Sequence, residues 1–297
     1  PARKRPGTRF VAEVKDSADA TRLLPFEYST TQAYVLEFGD LYIRFYLDGG
    51  VVESSPGVPY EIVSPYTSAQ LAALEYAQSA DVIYITHPDH PPYKLARASA
   101  LSWTITAVTF AWPPFNDENV GTTTLTASAV TGNITLTASA SLFVAADVGS
   151  YFKISEVSAS KYNQWTTGVS HSSGDIVYYL GNIYQSGTTA AAGSRPPIHT
   201  SGAESDGAVT WTFLHDGAGY AQITGYTSAT LVNATVIKRL PATALTGSTR
   251  WAEGAWSARR GYPHAVTFYE DRLWFAGSTS KPQTLWASVS GDYENHK

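Results

Sequence analysis

The chain has no cysteine and no methionine among its 297 residues. Without Cys there is no disulfide framework, no thiolate nucleophile and no metal site built on sulfur. Charge is also scarce: Asp, Glu, Lys and Arg make up 15% of the chain, against about a quarter in ordinary globular domains. Thr, Ser, Ala and Tyr take up the difference. A surface of that kind suits a protein packed against neighbouring subunits, and it also occurs in ordinary secreted domains. No apolar run approaches the roughly 18 residues that would cross a membrane. The N-terminal PARKRPGTRF lacks the apolar core of a signal peptide. With no Met anywhere, Pro1 is expected to lie inside a longer gene product, or Met-bearing segments to be missing from the sequence.

The net charge of -5 and a pI near 5.8 argue against a basic patch that grips nucleic acid, because phosphate binding needs clustered Lys and Arg. The one such cluster, Arg3-Lys4-Arg5, reads as a solvated end. A mildly acidic wall is instead compatible with a channel through which DNA slides without sticking.

The apolar residues, 43% of the chain, are arranged chiefly at period two. In QAYVLEFGDLYIRFYLD, residues 32–48, Tyr34, Leu36 and Phe38 alternate on one side of Gly39-Asp40, and Leu41, Ile43 and Phe45 on the other. This predicts a long antiparallel hairpin with a type II′ turn at Gly39-Asp40. RFVAEVK, TRLLPFEY and PYEIV read as further strands, with turns at Gly49-Gly50 and Pro56-Gly57. One helix is predicted over Ser68–Ser79, where Thr67 and Gln70 have capping-box spacing and Leu71, Leu74 and Tyr76 give a partial apolar face. DVIYITHP and LSWTITAVTF return to strand before the Pro-rich WPPF.

From Asn119 the texture shifts to Thr, Ser, Ala and Gly, with Leu-Thr-Ala-Ser-Ala at 125–129 and again at 136–140. Two copies are too few for a solenoid, so a small β-barrel or sandwich is expected. An aromatic, Gly-rich stretch interrupts it. The later AVTFY, RLWFAG and QTLWAS runs fit one blade of a propeller-like platform. The fold class is therefore all-β, mainly antiparallel, with one short helix and several domains. These are a β-rich platform over 1–115, an inserted barrel over 116–241 interrupted by an aromatic unit at 157–218, and a return to the platform over 242–297. The chain stops before a second blade, as a fragment would.

Candidate chemistry is thin. HPDHPP places His87, Asp89 and His90 within four positions. No third ligand has motif spacing, and the alternative is a rigid exposed turn. The carboxyl pairs Asp117-Glu118, Glu204 with Asp206, and Glu270-Asp271 all fall in expected turns. No nucleophile elbow or phosphate loop is present, so the chain is read as no enzyme, with no cofactor and no metal. The aromatic unit is the best binding candidate. QWTTGVSHSSGDIVYYLGNIYQS and the later DGAVTWTF carry Trp165, Tyr178, Tyr184 and Trp211, rings that either stack on sugar faces or form a small core, the commoner fate.

That unit resembles the small carbohydrate-binding modules of chitinases in Trp165, Gly174-Asp175, Tyr178, the Gly181-Asn182 turn, Tyr184 and Trp211. In those modules a paired-Trp segment follows the second strand, whereas GTTAAAGSRPP stands here. VTGNITLTASASLFVAADVGSYFKISE (130–156) with GYAQITGYTSATLVNATVIKRLP (219–241) is similar to the FCCH β-barrel of ubiquitin-activating enzymes. Without Cys only the barrel is implied, not thioester chemistry. RPGTRFVAEVKD, QAYVLEFGDLYIRFYLDGG, the run from Tyr60 to Pro92 and RGYPHAVTFYEDRLWFAGS resemble the tail nozzle, or tail tubular protein B, family of short-tailed phages and prophages. That likeness covers residues 1–110 and 250–297.

The resemblance implies a structural virion protein made in the bacterial host cytoplasm. It implies a hexameric ring of copies that contacts the tail adaptor and tail fibres or spikes and lets DNA pass during ejection. The alternative is a carbohydrate-binding adhesin that recognises a host capsule or cell-wall glycan through Trp165, Tyr178, Tyr184 and Trp211.

Overall fold

The structure, a computed structural model, describes residues 7, 9–29, 32–156 and 161–297. The Arg3-Lys4-Arg5 cluster and residues 157–160, where the aromatic insertion begins, lie outside the described residues. The chain forms two compact units, Pro1–Pro113 with Arg260–Lys297, and Pro114–Arg259. Both are built from strands, nearly all antiparallel, as the period-two pattern predicts. Among the described residues no helix is long and apolar enough to cross a membrane.

In the first unit β1 (Arg22–Glu27), β2 (Ala33–Gly39), β3 (Tyr42–Leu47) and β4 (Gly50–Val51) lie in that order. A small hairpin of β5 (Glu53–Ser55) and β6 (Val58–Pro59) leads to β7 (Glu61–Val63), which also pairs with β3. A second sheet is formed by β8 (Glu75–Ser79), β9 (Val82–His87), β10 (His90–Ser99) and β11 (Ser102–Ala107). The alternating residues of the first sheet, Leu24, Phe26, Tyr34, Leu36, Phe38, Ile43 and Phe45, are buried against Leu71, Leu74, Ile83, Ile85, Leu95 and Trp103. Trp103 sits at the centre, its ring 4.8 Å from Phe26, 5.4 Å from Tyr34 and 4.6 Å from Phe45.

Three local expectations are revised. The hairpin loop is Asp40-Leu41, one residue later than expected: Gly39 pairs with Tyr42, and Leu41 takes the left-handed φ of +60°. Leu41 is therefore exposed rather than core. A Cβ on Gly39 would lie 2.1 Å from the Tyr42 ring, so the glycine is required by that ring's close approach. The helix expected over Ser68–Ser79 is a 3₁₀ turn, Ser68–Ala73, followed by β8. Gln70 Oε1 does accept the Thr67 N–H at 3.1 Å. Propagation stops there because Glu75–Ser79 gains a five-rung ladder with buried β9, and tertiary pairing outweighs helix propensity. Finally, 9–15 is not a strand: Lys15 N–H bonds the Glu37 side chain at 3.2 Å rather than a backbone carbonyl.

The second unit begins with β12 (Leu125–Ala127), β13 (Asn133–Ala138) and β14 (Tyr151–Ser155). The aromatic insertion supplies β15 (Asn163–Gln164), β16 (Ser170–His171), β17 (Ile176–Tyr179), β18 (Asn182–Ser186), β19 (Ala190–Ala191), β20 (Ala203–Asp206) and β21 (Val209–His215). Then come β22 (Ala218–Ser228), β23 (Leu231–Lys238) and β24 (Trp251–Glu253). The order β12-β13-β23-β22-β14-β24 makes a curled, half-barrel sheet. Reciprocal 2.9 Å bonds between Leu125 and Ser248 tie its two ends. Leu125, Leu136, Phe143, Phe152, Ile154, Ile223 and Val232 fill it. Residues 242–259, grouped with the platform in the sequence reading, belong to this unit, because β24 pairs with β14. The insertion leaves and rejoins on one rung, Ser155 opposite Ala218.

The first unit is completed by β25 (Ala265–Tyr269), β26 (Arg272–Ala276) and β27 (Leu285–Ala287), an antiparallel three-stranded sheet. Glu270 and Asp271, with φ of +48° and +55°, make the tight turn between the first two.

Substitutions at two positions test these cores. Trp103→Ala should lower the stability of the first unit by about 3–5 kcal/mol, the usual cost of emptying a buried aromatic site; urea titration should show the midpoint falling with little change in slope. In the second unit Arg259 bridges buried Asp147 and Glu253, each at 2.8 Å. Arg259→Ala removes the cation that both carboxyls share and should cost about 1.5–3 kcal/mol, the range for hydrogen bonds to charged groups. Arg259→Lys should recover only part of that, since one ammonium cannot hold the Glu253 hydrogen bond and stay beside Asp147 as the planar guanidinium does.

Candidate functional site

The aromatic insertion is a five-stranded sheet ordered β15-β17-β18-β21-β20, with β16 and β19 paired beside it. Its parallel pair, β15 with β17, is set by Trp165 N–H bonding Tyr178 O at 3.0 Å. The β17–β18 hairpin turns at Leu180-Gly181, both left-handed at φ +49° and +86°. Trp165, Tyr184 and Trp211 are brought together, but inward: with Val177, Ala192 and Val209 they form the buried core of the module. Trp165 meets Tyr179 edge to face at 5.6 Å, and His171 meets Trp211 at 5.0 Å. The Tyr184 hydroxyl donates to His199 O at 2.9 Å and accepts from Asn182 Nδ2 at 3.1 Å. Burial raises its phenol above the ordinary range. Only Tyr178, half-buried on β17, keeps part of its ring exposed. Three of the four rings therefore offer no open face to a sugar.

The remaining sequence candidates separate. Glu118 pairs with Arg250 at 2.7 Å. Glu270 and Asp271 form a hairpin turn, whereas Glu204 and Asp206 stand on β20 and not in a turn. Asp206 is buried, and its Oδ1 accepts the Arg195 N–H at 2.9 Å. Nothing in the spacing of AESDG distinguishes this buried carboxyl from its exposed neighbour. Gly193 is required beside it, because a Cβ there would lie 2.4 Å from Asp206 Oδ1.

His87 and His90 close the β9–β10 hairpin, and His87 is 4% exposed rather than at the surface. Its Nδ1 accepts the Asp89 N–H at 3.1 Å, and His90 Nε2 reaches Gln70 Oε1 at 3.1 Å. The two rings pack 5.3 Å apart and against Tyr66. Among the described residues no group of three His, Cys, Asp or Glu could hold a metal ion.

A further cluster was not visible in the sequence. Glu37, fully buried on the outer face of β2, accepts from Tyr42 Oη at 2.5 Å, from Tyr46 Oη and from Lys15 N. Burial, followed by the bond to Glu37, drives both phenols far above their ordinary range. The chain from Val11 to Lys15 crosses this face. Lys15 Nζ lies 2.7 Å from Glu61 and 4.7 Å from the Tyr42 ring centre. Beneath the strap is an apolar cavity of about 320 Å³, lined by residues that include Val11, Val14, Leu23, Val35 and Leu47.

No protein-family model and no curated protein matches the chain.

The histidines make stability sensitive to acid. Burial lowers His87, whose His90 neighbour adds to the effect, and it likewise lowers His90 and His215. His296 is lowered to about 4, chiefly by burial. Such groups bind protons in the unfolded chain before the folded one. Their stabilisation is complete above the unfolded value of 6.5 and is lost as pH falls toward the folded value. Thermal melting should decline between pH 6.5 and about 4, by up to about 3 kcal/mol for His296 alone. His296→Gln should flatten the decline.

Proposed function

We propose that the chain is a structural virion protein of a bacteriophage tail, a part of the nozzle that conducts DNA during ejection, and that it works by packing against copies of itself. The phrase-level likeness of residues 1–110 and 250–297 to that family supports the reading, as does the all-β, mainly antiparallel architecture. Six copies in the ring, the tail adaptor and the fibres or spikes as neighbours, and the virion as location come from the same likeness.

The observation that carries the reading is the outer face of the first sheet. Phe10 is 80% exposed, Leu23 59%, Val11 45% and Val35 41%. Contiguous apolar surface of this sort marks interaction sites on proteins. The sheet edge is less available: β1 carries Pro25, and the Gln78 side chain bonds both Glu27 N and Glu27 O. Pro and side-chain cover are devices that block strand addition. A neighbour is thus expected on the face, beside the strap, and not along the edge. The adhesin reading has less support, because Trp165, Tyr184 and Trp211 are core.

Negative-stain images of the purified chain at high concentration should show closed rings, and light scattering should give a multiple of 32.0 kDa. The double substitution Leu23→Gln and Val35→Thr, which removes apolar area from these exposed positions without adding charge opposite Glu37, should return it to monomer while circular dichroism stays that of the folded chain. A 32.0 kDa species at every concentration would overturn the proposal.

A further inference from the structure

The cavity beneath the strap, about 320 Å³, falls within the ~300–1,000 Å³ range of small-ligand sites. Its apolar walls are Val11 and Val14 of the strap and Leu23, Val35 and Leu47 of β1, β2 and β3. Ala33 and Asp48, both exposed, also line it and mark its open side.

The charged part of the lining has one sign. Glu37 and Asp48 belong to it, and among the described residues no Lys, Arg or His does. Glu37 is fully buried, and the groups that donate to it, Tyr42 Oη, Tyr46 Oη and Lys15 N, are all neutral. Lys15 and Arg44, the cations of this face, are both bonded to Glu61 instead. A buried charge is ordinarily matched by an opposite one. Glu37 has hydrogen bonds but no such match, and its charge stands in the wall of an apolar cavity, where the field is screened less than in water. Asp48 adds a second carboxylate on the exposed side.

We propose that this cavity binds an organic cation with an apolar body, an alkylammonium, its chain among the valines and leucines and its charged end on the open side with Asp48, in the field of Glu37. Charge complementarity selects this class. A fatty-acid-like anion suits the walls but meets Glu37 and Asp48 with like charge. A neutral alcohol or hydrocarbon fills the walls and leaves the charge unmatched. A bare inorganic cation answers the charge and leaves the apolar walls facing water. The inference does not rest on the tail reading, although a neighbouring copy is expected on the same face. Absence of rings leaves it standing, and rings whose cavity takes up no cation overturn it alone.

The test is a saturation-transfer NMR titration of the whole 297-residue chain with hexylammonium, hexan-1-ol and hexanoate, probes of one length that differ in charge. Hexylammonium should bind saturably and about tenfold more tightly than the alcohol, and hexanoate should not bind. Asp48→Asn should weaken hexylammonium by about two- to fivefold, the size of an exposed ion pair, and leave the alcohol unchanged. The φ of +54° at this position is one that Asn adopts readily, so the variant keeps its fold. Ala33→Trp, which fills the cavity from an exposed position of its lining, should abolish binding of every probe while circular dichroism stays that of the folded chain. No saturable binding of hexylammonium, an alcohol bound as tightly, affinity unchanged in Asp48→Asn, or binding that survives Ala33→Trp would each overturn the assignment.

Discussion

The first unit is organised around one indole. Trp103 comes from the last strand of the second sheet, and its ring lies among Phe26, Tyr34 and Phe45 of the first sheet. Those three residues come from three successive strands in fixed register, Phe26 opposite Tyr34 and Leu36 opposite Phe45. A slip by one residue would turn every one of them to the outer face. The ring therefore selects the register of the hairpin as well as filling space, and its edge-to-face contacts with Phe26 and Tyr34 add about 0.5–1.5 kcal/mol each beyond the area they bury. The same use of aromatics recurs in the second unit, in Phe143 with Phe152 and in the Trp165, Tyr184 and Trp211 core of the module.

Low charge shapes the rest. With few ionic groups, those taken inside are given partners: Glu37 has two phenols and a backbone N–H, and Asp147 accepts the Val144 N–H and lies beside Arg259, which also bonds Glu253. Burial without such partners would cost several kcal/mol per group. Asp206 departs from the pattern, having one oxygen paired and one not.

Much of the fold was legible because period two in Tyr34, Leu36, Phe38, Ile43 and Phe45 can be satisfied only by a half-buried strand. The errors also have physical causes. The loop moved from Gly39 to Leu41 because Gly39 was needed under the Tyr42 ring, a cross-strand requirement that no local turn rule contains. Ser68–Ser79 has a true start signal, and its continuation was decided by β9, which is remote from that signal. The candidate site was less legible. An aromatic at an alternating position gives its spacing but not which face is covered, so the spacing of Trp165 and Trp211 fits a platform as well as a core, and only the general frequency of buried rings favours the core they form. Asp206 gave no signal at all, since its burial depends on Gly193 and Arg195, which are brought to it by a loop.

The way the module is attached explains how the half-barrel carries an insertion without losing its own register. Its two ends lie on a single rung, Ser155 opposite Ala218, with Glu156 N–H bonded to Gly217 O at 2.7 Å. The base is pinned again by Arg250, which reaches Glu156 O at 2.7 Å and Glu118 at 2.7 Å. Because the ends already neighbour each other, the half-barrel keeps its β14–β22 register whatever lies between them, and loop-closure entropy rises only slowly with inserted length. The insertion has its own buried core, so ordering it does not draw on contacts of the barrel. Strands of the barrel are held by register, whereas the module carries a pocket made by the loop 194–198 over one strand pair. The loop can therefore vary without disturbing the strand register of the barrel, as surface loops on a rigid scaffold commonly do.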